Sequence, residues 1–460
     1  MSSLGKIRST RAPYYLAREL TETLGLAVPM ALTQLSQIAM MATDLAFIGR
    51  LGNEAVAAAA LAGTVYFVSF TIGMGLVSAV APLAAQAFGA RDSREVRRAL
   101  RTGLWAALLI SLPIMPFSLY GEPILLALGQ APAAAGLAQH YLFGLVWGVT
   151  PALWFMAIRG FMGAVNRPQP ALWITLAAIP ANALLVYPLI YGEWGFPRLE
   201  LFGAGLATTT VNFGTVLASL WFATRRPPFR KYRVLGRIWR IDWRLMRRLV
   251  TIGAPISLSF MLEYGMFSAA SLLMGLIGTT ALAAHQVALQ VTAILFMVPY
   301  GISMSATVRV GHAIGRDDPG AVKRAGFVAI LLGVVLVAGL TLAVVAGRFA
   351  IAQAFFGIAD DAGAVIELTA NLLLVGSTFF IADGIQTIAA GSLRGMNDTR
   401  MPLLFAAISY WLIGFTLACL LGFQTALGAI GVWVGLSVGT AIYATLLVLR
   451  FRLLASRLAA

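Results

Sequence analysis

Long apolar stretches follow one another along most of the chain, separated by short polar or basic segments. A helix that crosses a bilayer needs about 20 mostly apolar residues. The pattern predicts twelve such helices, over residues 24–47, 55–84, 102–120, 138–158, 171–191, 202–223, 249–275, 281–308, 326–347, 367–390, 403–423 and 429–449. The polar and basic residues 1–22 are not typical of a cleaved signal peptide.

Composition supports a membrane protein and excludes most other classes. Of the 460 residues, 60% are hydrophobic and 11% are charged, whereas soluble domains carry about 25% charged residues. The one cysteine, Cys419, excludes an internal disulfide, and the three histidines lie too far apart in sequence to favour a metal site. We therefore predict an all-α polytopic membrane protein with no structural metal and no bound cofactor.

The positions of lysine and arginine predict the orientation of the chain. The net charge is +15, and with a cytoplasmic N-terminus 30 of the 33 lysines and arginines fall in inside segments. The other three are Arg50, Arg198 and Arg348. Because positively charged loops stay on the cytoplasmic side, both termini are predicted to be cytoplasmic.

A basic segment, residues 224–248, separates the sixth predicted helix from the seventh. It carries ten lysines and arginines and could be read as a nucleic-acid patch. The better interpretation is an amphipathic cytoplasmic linker that lies against anionic lipid headgroups. The lipid bilayer is thus an expected partner, and nucleic acid is not.

The chain contains an internal repeat. Residues 29–99 align without a gap onto 255–325 at an offset of 226, with 18 identities in 71 positions. The identities include Gly75 with Gly301 and Asp92 with Asp318, and further along Gly163 and Pro170 match Gly395 and Pro402 at an offset of 232. Matched glycines and prolines are informative because each fixes a backbone feature.

The repeat predicts the domain organisation. Residues 1–223 and 249–460 form two six-helix lobes, and 224–248 is the linker between them. Six is even, so both lobes insert with the same orientation and are related by a pseudo-two-fold axis along the membrane normal. Transporters of this plan bind substrate between their halves and rock one half against the other. A duplicated scaffold without transport is the alternative, and a monomer is expected.

Three acids lie inside the predicted helices: Asp44, Glu263 and Asp383. An ionisable group in the hydrocarbon region costs at least about 2.5–3.5 kcal/mol, and no predicted helix holds a well-centred lysine or arginine to neutralise them. The repeat places Ala270 opposite Asp44 and Gln37 opposite Glu263, so the fold itself does not demand the acids. They are predicted to couple transport to a cation or proton, with Na⁺ at Glu263 and Asp383 as one option. Because burying either of these two acids alone in lipid is costly, we predict that they face the same internal cavity near mid-membrane.

Weaker polar candidates accompany the acids. Asn182 could coordinate a cation, bond to Asp44, or hold two helices together. Asp44 itself could be structural, hydrogen-bonded to a hydroxyl such as that of Thr43. His285 is expected to be a solvated residue at the start of a helix. Four glutamines could line the substrate cleft: Gln34, Gln37, Gln286 and Gln290.

These residues resemble the multidrug and toxin extrusion (MATE) family over nearly the whole chain. The resemblance is carried by residues 29–62, 73–92, 257–290 and 381–402. Its motifs are Asp44 with Gly49-Arg50 in the first helix, Glu263 in the seventh, and Asp383 ahead of the G-x-x-R-G of residues 391–395. Glu263 and Asp383 together look closest to the NorM branch.

The resemblance implies a function and a location. It implies that a bacterial inner-membrane antiporter exports cationic, amphipathic organic compounds against inward H⁺ or Na⁺. It implies that Glu263 and Asp383 form the cation site of the C-terminal half, and that Asp44 and Asn182 are functional in the N-terminal half. Archaeal members have a second acid four residues after the asparagine, where this chain has Val186.

Other functions are disfavoured by the sequence. A lipid-linked oligosaccharide flippase of the same superfamily handles anionic headgroups and would need cationic residues where this chain has acids. A membrane enzyme would need a nucleophile with a base, a histidine cluster or a phosphate-binding loop, and no such motif is found. A channel would show a filter loop and oligomer symmetry rather than an internal duplication.

Overall fold

The structure, a computed structural model, describes residues 12–357 and 363–459. Within them the chain is helical, without strands, and the twelve predicted spans are confirmed as helices long and apolar enough to cross a membrane. They are α1 (Ala12–Gly49), α2 (Asn53–Gly89), α3 (Ser93–Leu119), α4 (Pro132–Ala164), α5 (Gln169–Tyr191), α6 (Glu200–Arg225), α7 (Trp243–Ile277), α8 (Thr279–Gly315), α9 (Pro319–Ala346), α10 (Gly363–Gly395), α11 (Arg400–Phe423) and α12 (Ala429–Ala459).

Three of the spanning helices are irregular. Helix α2 is interrupted at Ala79, and α4 consists of two α-helical parts joined by a 3₁₀ turn, Val146–Gly148. Helix α11 contains a π-helical segment, Ala407–Phe415. Short helices precede α4 and follow α9 (Gly121–Ala127 and Arg348–Phe356), and the linker contains one turn, Phe229–Tyr232.

The turn after α2 is repeated after α8. Arg91 and Asp317 both adopt the left-handed conformation, with φ of 59° and 55°. The next residue is an aspartate whose carboxylate accepts backbone N–H groups of the following helix, Asp92 from Arg94 and Glu95, and Asp318 from Ala321. An aspartate at this position satisfies N–H groups that have no partner within the helix. Capping therefore explains one of the identities in the repeat.

A second pair of turns, after α4 and α10, corrects the sequence alignment. Here the left-handed residues are Asn166 and Asn397, which lie 231 positions apart. The alignment of Gly163 with Gly395, at an offset of 232, is therefore wrong by one residue at this turn, because the backbone geometry rather than the glycine sets the register.

The chain forms two compact units. Among the described residues, the first unit comprises 32–258, and the second comprises 12–31 together with 259–357 and 363–459. Each unit has its own apolar core, around Ile48, Leu142 and Val186 in the first and around Phe379 and Trp433 in the second. The beginning of α7 thus belongs to the first unit and the rest of α7 to the second. The reverse holds for α1, whose beginning belongs to the second unit and whose remainder belongs to the first.

Matched glycines allow these helix beginnings to pack closely. In the first unit, a Cβ atom on Gly75 of α2 would lie 2.4 Å from the Cα atom of Ser257 in α7. In the second unit, a Cβ atom on Gly301 of α8 would lie 2.8 Å from the Cα atom of Ala31 in α1. Both contacts exclude any side chain larger than hydrogen. Because 75 and 301, like 31 and 257, differ by 226, the same contact is built twice.

A buried arginine also holds the beginning of α1 within the second unit. Helix α8 extends past its predicted end and includes Arg309, which is 9% exposed. Its guanidinium donates to the Glu19 carbonyl (2.9 Å), to the Thr23 hydroxyl, and to the carboxylates of Glu19 and Glu22 (3.0 Å to Glu22). Arg309 lies just beyond the predicted span 281–308, so this buried cation is carried by a helix that is longer than its apolar core.

Candidate functional site

Helices α7 and α10 bring Glu263 and Asp383 together in the second unit. The side-chain amide of Gln386 donates from Nε2 to both carboxylates, 3.1 Å to Glu263 Oε1 and 2.8 Å to Asp383 Oδ1. Asp383 is 4% exposed, and Glu263 is partly buried. The predicted proximity of the two acids is confirmed by this shared donor. Their role in coupling stays a prediction.

Gln386 and Tyr410 complete this cluster and were missed in the sequence. The Tyr410 hydroxyl donates to Gln386 Oε1 at 2.9 Å, so the amide oxygen faces the tyrosine and the amide hydrogens face the acids. Gln386 follows Asp383 by three residues and therefore lies on the same helix face, a spacing that could have identified it. Tyr410 lies in an apolar run and gave no such signal.

The surroundings of the cluster combine an aromatic wall with one cation. Tyr410 belongs to the π-helical segment of α11, a feature that is frequent at functional sites, and its ring packs on Tyr443 with centroids 5.1 Å apart. The cation is Arg394, the arginine of the G-x-x-R-G motif on α10. Arg394 itself lies over the ring of Phe260.

A second carboxylate cluster lies in the first unit. Asp44 of α1 is 6% exposed, and both of its oxygens accept hydrogen bonds, Oδ1 from the amide of Asn182 and Oδ2 from the hydroxyl of Thr208 at 3.0 Å. Of the three alternatives for Asn182, the structure shows the hydrogen bond to Asp44. The hydroxyl partner is Thr208 of α6, however, because Thr43 donates to the Ala39 carbonyl instead.

The oxygen atoms of the Asp44 cluster suit a hard cation. Asn182 is fully buried, and its Oδ1 atom has no hydrogen-bond partner within the described residues. A carboxylate, an amide oxygen and a hydroxyl are the ligand types that such ions prefer. Val186 is fully buried in the apolar core of the unit, so this cluster has one acid, as the sequence indicates.

The four glutamines divide into two groups. Gln34 and Gln37 of α1 accept hydrogen bonds from Arg159, a residue of α4 that is 6% exposed. Their amide oxygens are therefore used to satisfy a buried cation, a partner that the sequence did not predict. Gln286 and Gln290 are exposed, one turn apart on α8, and the structure places neither within hydrogen-bond distance of an acid in the two clusters.

His285 is fully buried, so its interpretation as a solvated residue is wrong. Its Nδ1 atom accepts from the indole N–H of Trp433 at 3.0 Å, and its Nε2 atom lies 3.1 Å from the Ser271 hydroxyl. Because an indole only donates, Nδ1 carries no proton and the ring is neutral. Across residues 12–357 and 363–459, no group of three or more histidine, cysteine, aspartate or glutamate side chains could hold a metal ion.

Comparison with known proteins gives a consistent result. The MatE family model matches residues 29–188 and 255–420. A probable multidrug resistance protein NorM from Bradyrhizobium diazoefficiens is 67% identical over 96% of this chain and 95% of its own length. A protein of the same description from Rhodopseudomonas palustris is 59% identical over 94% of this chain and 91% of its own length.

Solved structures show the same fold. A eukaryotic MATE transporter superposes with a TM-score of 0.86 at 21% identity, covering 96% of this chain and 98% of that chain. An outward-facing multidrug resistance MATE family transporter of the MOP superfamily superposes with a TM-score of 0.86 at 19% identity, covering 96% and 97%.

Proposed function

Because the chain belongs to the MATE family of multi-pass membrane transporters, we propose that it is a secondary active multidrug efflux antiporter. It exports cationic, amphipathic organic compounds in exchange for inward H⁺ or Na⁺. The relatives that are described as multidrug resistance proteins support the substrate class. The observation that carries the coupling is the bridging of Glu263 and Asp383 by the single amide of Gln386.

The coupling follows from the charge of the acid pair. With both carboxylates ionised, this part of the second unit is negative and favours a cationic drug. Uptake of H⁺ or Na⁺ neutralises it and favours drug release. An ion shifts such an equilibrium only by its different affinity for the two states, and the linkage is reciprocal. The drug therefore weakens ion binding by the same factor by which the ion weakens drug binding.

The test is drug efflux driven by an imposed ion gradient. Fluorescent organic cations are followed in inverted membrane vesicles, with a Na⁺ gradient and, separately, a pH gradient. Asp383→Asn and Glu263→Gln should each abolish most gradient-driven efflux at equal protein level. The double variant should be little worse, because residues that act as a unit are not additive.

Glu367→Gln is the matched control, since Glu367 is an exposed acid on the same helix. It should export at the wild-type rate. Wild-type efflux by Asp383→Asn, with normal gradient dependence, would place the coupling site elsewhere, and the Asp44 cluster would then be the next place to test.

We further propose that both termini and the linker are cytoplasmic, in the inner membrane, and that the chain acts as a monomer. In a Cys419→Ala background, Lys231→Cys should be protected from an impermeant thiol reagent added outside whole cells, and Arg198→Cys should react. Both positions are exposed. Labelling of residue 231 from outside would contradict the proposed orientation.

A further inference from the structure

An apolar cavity of about 270 Å³ lies within the first unit, between α3, α4, α6 and the linker. Its walls include Trp105, Trp154 and Leu220 from the three helices, and Leu235 and Ile238 from the linker. The indole N–H groups that could have made it polar are already bonded, Trp105 to the Ile238 carbonyl (2.6 Å) and Trp154 to a carbonyl of α3 (3.0 Å). The cavity therefore offers only apolar contacts.

The size of the cavity argues against a whole drug molecule. Sites for drug-sized ligands occupy about 300–1,000 Å³ and carry a few placed polar groups, whereas this cavity is smaller and has none available. Part of a hydrocarbon chain matches both its volume and its chemistry.

Two arginines of α3 precede the residues of that helix that line this cavity. Arg97 and Arg101 share a helix face with Leu104, Trp105 and Leu108, which line the cavity. The Nε atoms of both arginines are buried and have no hydrogen-bond partner within the described residues. Arg101 is only 7% exposed. A buried, unsatisfied guanidinium N–H is costly, so these atoms indicate that an acceptor group binds here.

The charges around Arg101 are mostly of its own sign. Arg97, Asp242, Arg98 and Arg240 all act on it electrostatically, and its Nη1 donates to the Arg237 carbonyl at 3.2 Å.

The single acid among these neighbours is committed elsewhere. Asp242 accepts from Arg98 Nε at 2.8 Å and from the Leu245 N–H at 3.1 Å. Partial burial acts to raise the pKa of Asp242, but the bonds from Arg98 and Leu245 lower it below its usual range. Asp242 is therefore hydrogen-bonded to Arg98 and to the backbone rather than to Arg97 or Arg101.

The linker is held as a surface layer beside this cluster. Phe229 and Tyr232 are buried, and both rings pack on Phe161 of α4, with centroids 5.9 Å and 5.6 Å from it. On the linker side, Trp239 and Trp243 are 75% and 61% exposed. Exposed indoles are typical of the headgroup level of a membrane, which is also the level of the lipid phosphates.

We propose that this site binds one anionic phospholipid of the bilayer, with its phosphate at Arg97 and Arg101 and part of one acyl chain in the cavity. From Arg101 to Leu108 the helix rises about 10 Å, so a lipid can engage both parts at once. Guanidinium groups pair with phosphate through several parallel hydrogen bonds, which satisfies the buried N–H groups. A cationic drug is repelled by the same charges.

The test is lipid retention by the purified full-length protein, measured by native mass spectrometry with phosphatidylglycerol and phosphatidylcholine. Leu220→Trp fills the cavity, and Arg97→Gln removes one of the two proposed phosphate contacts. Each variant should lower phosphatidylglycerol retention at least tenfold, and wild type should prefer phosphatidylglycerol over phosphatidylcholine.

The control variants make the same kinds of substitution, to tryptophan and from arginine to glutamine, at exposed positions away from the cavity. Val335→Trp adds an indole to an exposed position of α9, and Arg452→Gln with Arg457→Gln removes exposed charge from α12. Neither should change retention. Equal retention of the two lipids by wild type, or unchanged retention in the folded Leu220→Trp and Arg97→Gln variants, would overturn the proposal. Binding is measured without transport, so the outcome does not depend on the proposed efflux function.

Discussion

Replacing Gln386 by methionine should tighten ion binding at the acid pair. The amide donates to both Glu263 and Asp383, and such bonds are strongest when both acceptors are ionised. The wild-type amide therefore favours the ion-free state over the neutralised one. Methionine has a similar length but no donor, so Gln386→Met removes this preference.

The size of the effect follows from the two hydrogen bonds. A bond to a charged group contributes about 1.5–3 kcal/mol, and a bond between neutral groups contributes about 0.5–1.5 kcal/mol. When an ion neutralises one carboxylate, one bond changes from the first kind to the second, which costs about 1–1.5 kcal/mol. Removing the amide should thus increase ion affinity about 5- to 13-fold. Slower ion release should then lower the turnover of efflux.

The measurement is the ion concentration that gives half-maximal drug efflux from proteoliposomes, for Na⁺ and for H⁺ separately. Thr387→Val is the matched control, since it removes a buried hydroxyl from the next position of α10 that bonds to neither acid. Weaker ion binding in Gln386→Met would refute the reasoning, because the amide oxygen would then have to be a ligand of the ion. An unchanged value would show that the amide does not sense the charge of the pair.

Three further predictions concern other parts of the molecule. Asp44→Asn should reduce efflux but leave the ion response of the second unit largely intact; loss of that response would mean that the two clusters are one site. Gly301→Ala should lower the melting temperature because its Cβ would meet Ala31, whereas Gly339→Ala, with open space around it, should not; equal effects would contradict the close-contact argument. Trp433→Phe should cost about 1–3 kcal/mol of stability by leaving buried His285 Nδ1 without a donor, seen as a lower melting temperature; an unchanged value would show that the bond is not needed.

The parts of the fold that the bilayer dictates could be predicted from the sequence. A spanning segment must satisfy its backbone internally and be apolar over about 20 residues, so the twelve helices follow from hydrophobicity alone. The cost of burying an acid likewise predicted that Glu263 and Asp383 would lie together, and the structure gives them a shared donor.

Other features had no local signal. The association of residues 12–31 with the second unit depends on close contacts such as Gly301 against Ala31, and a glycine in a helix does not reveal its partner. The π-helical segment that presents Tyr410 lies in a uniformly apolar run. The burial of His285 could not be predicted, because its place near the start of a helix favours exposure to solvent and its partner Trp433 is 148 residues away.

The two repeats share a backbone but not the chemistry of their buried polar residues. Gln37 occupies the position that corresponds to Glu263, and the side-chain oxygen of each accepts a hydrogen bond from a buried donor. In the first unit the buried cation Arg159 takes the oxygens of Gln34 and Gln37. In the second unit the buried acids take the amide hydrogens of Gln386. Glutamine can serve both purposes because it carries a donor and an acceptor. The shared backbone explains the identities at residues that cap helices or permit close contacts, Asp92 with Asp318 and Gly75 with Gly301. The buried charged residues are free to differ between the repeats, because glutamine can provide a partner for either kind.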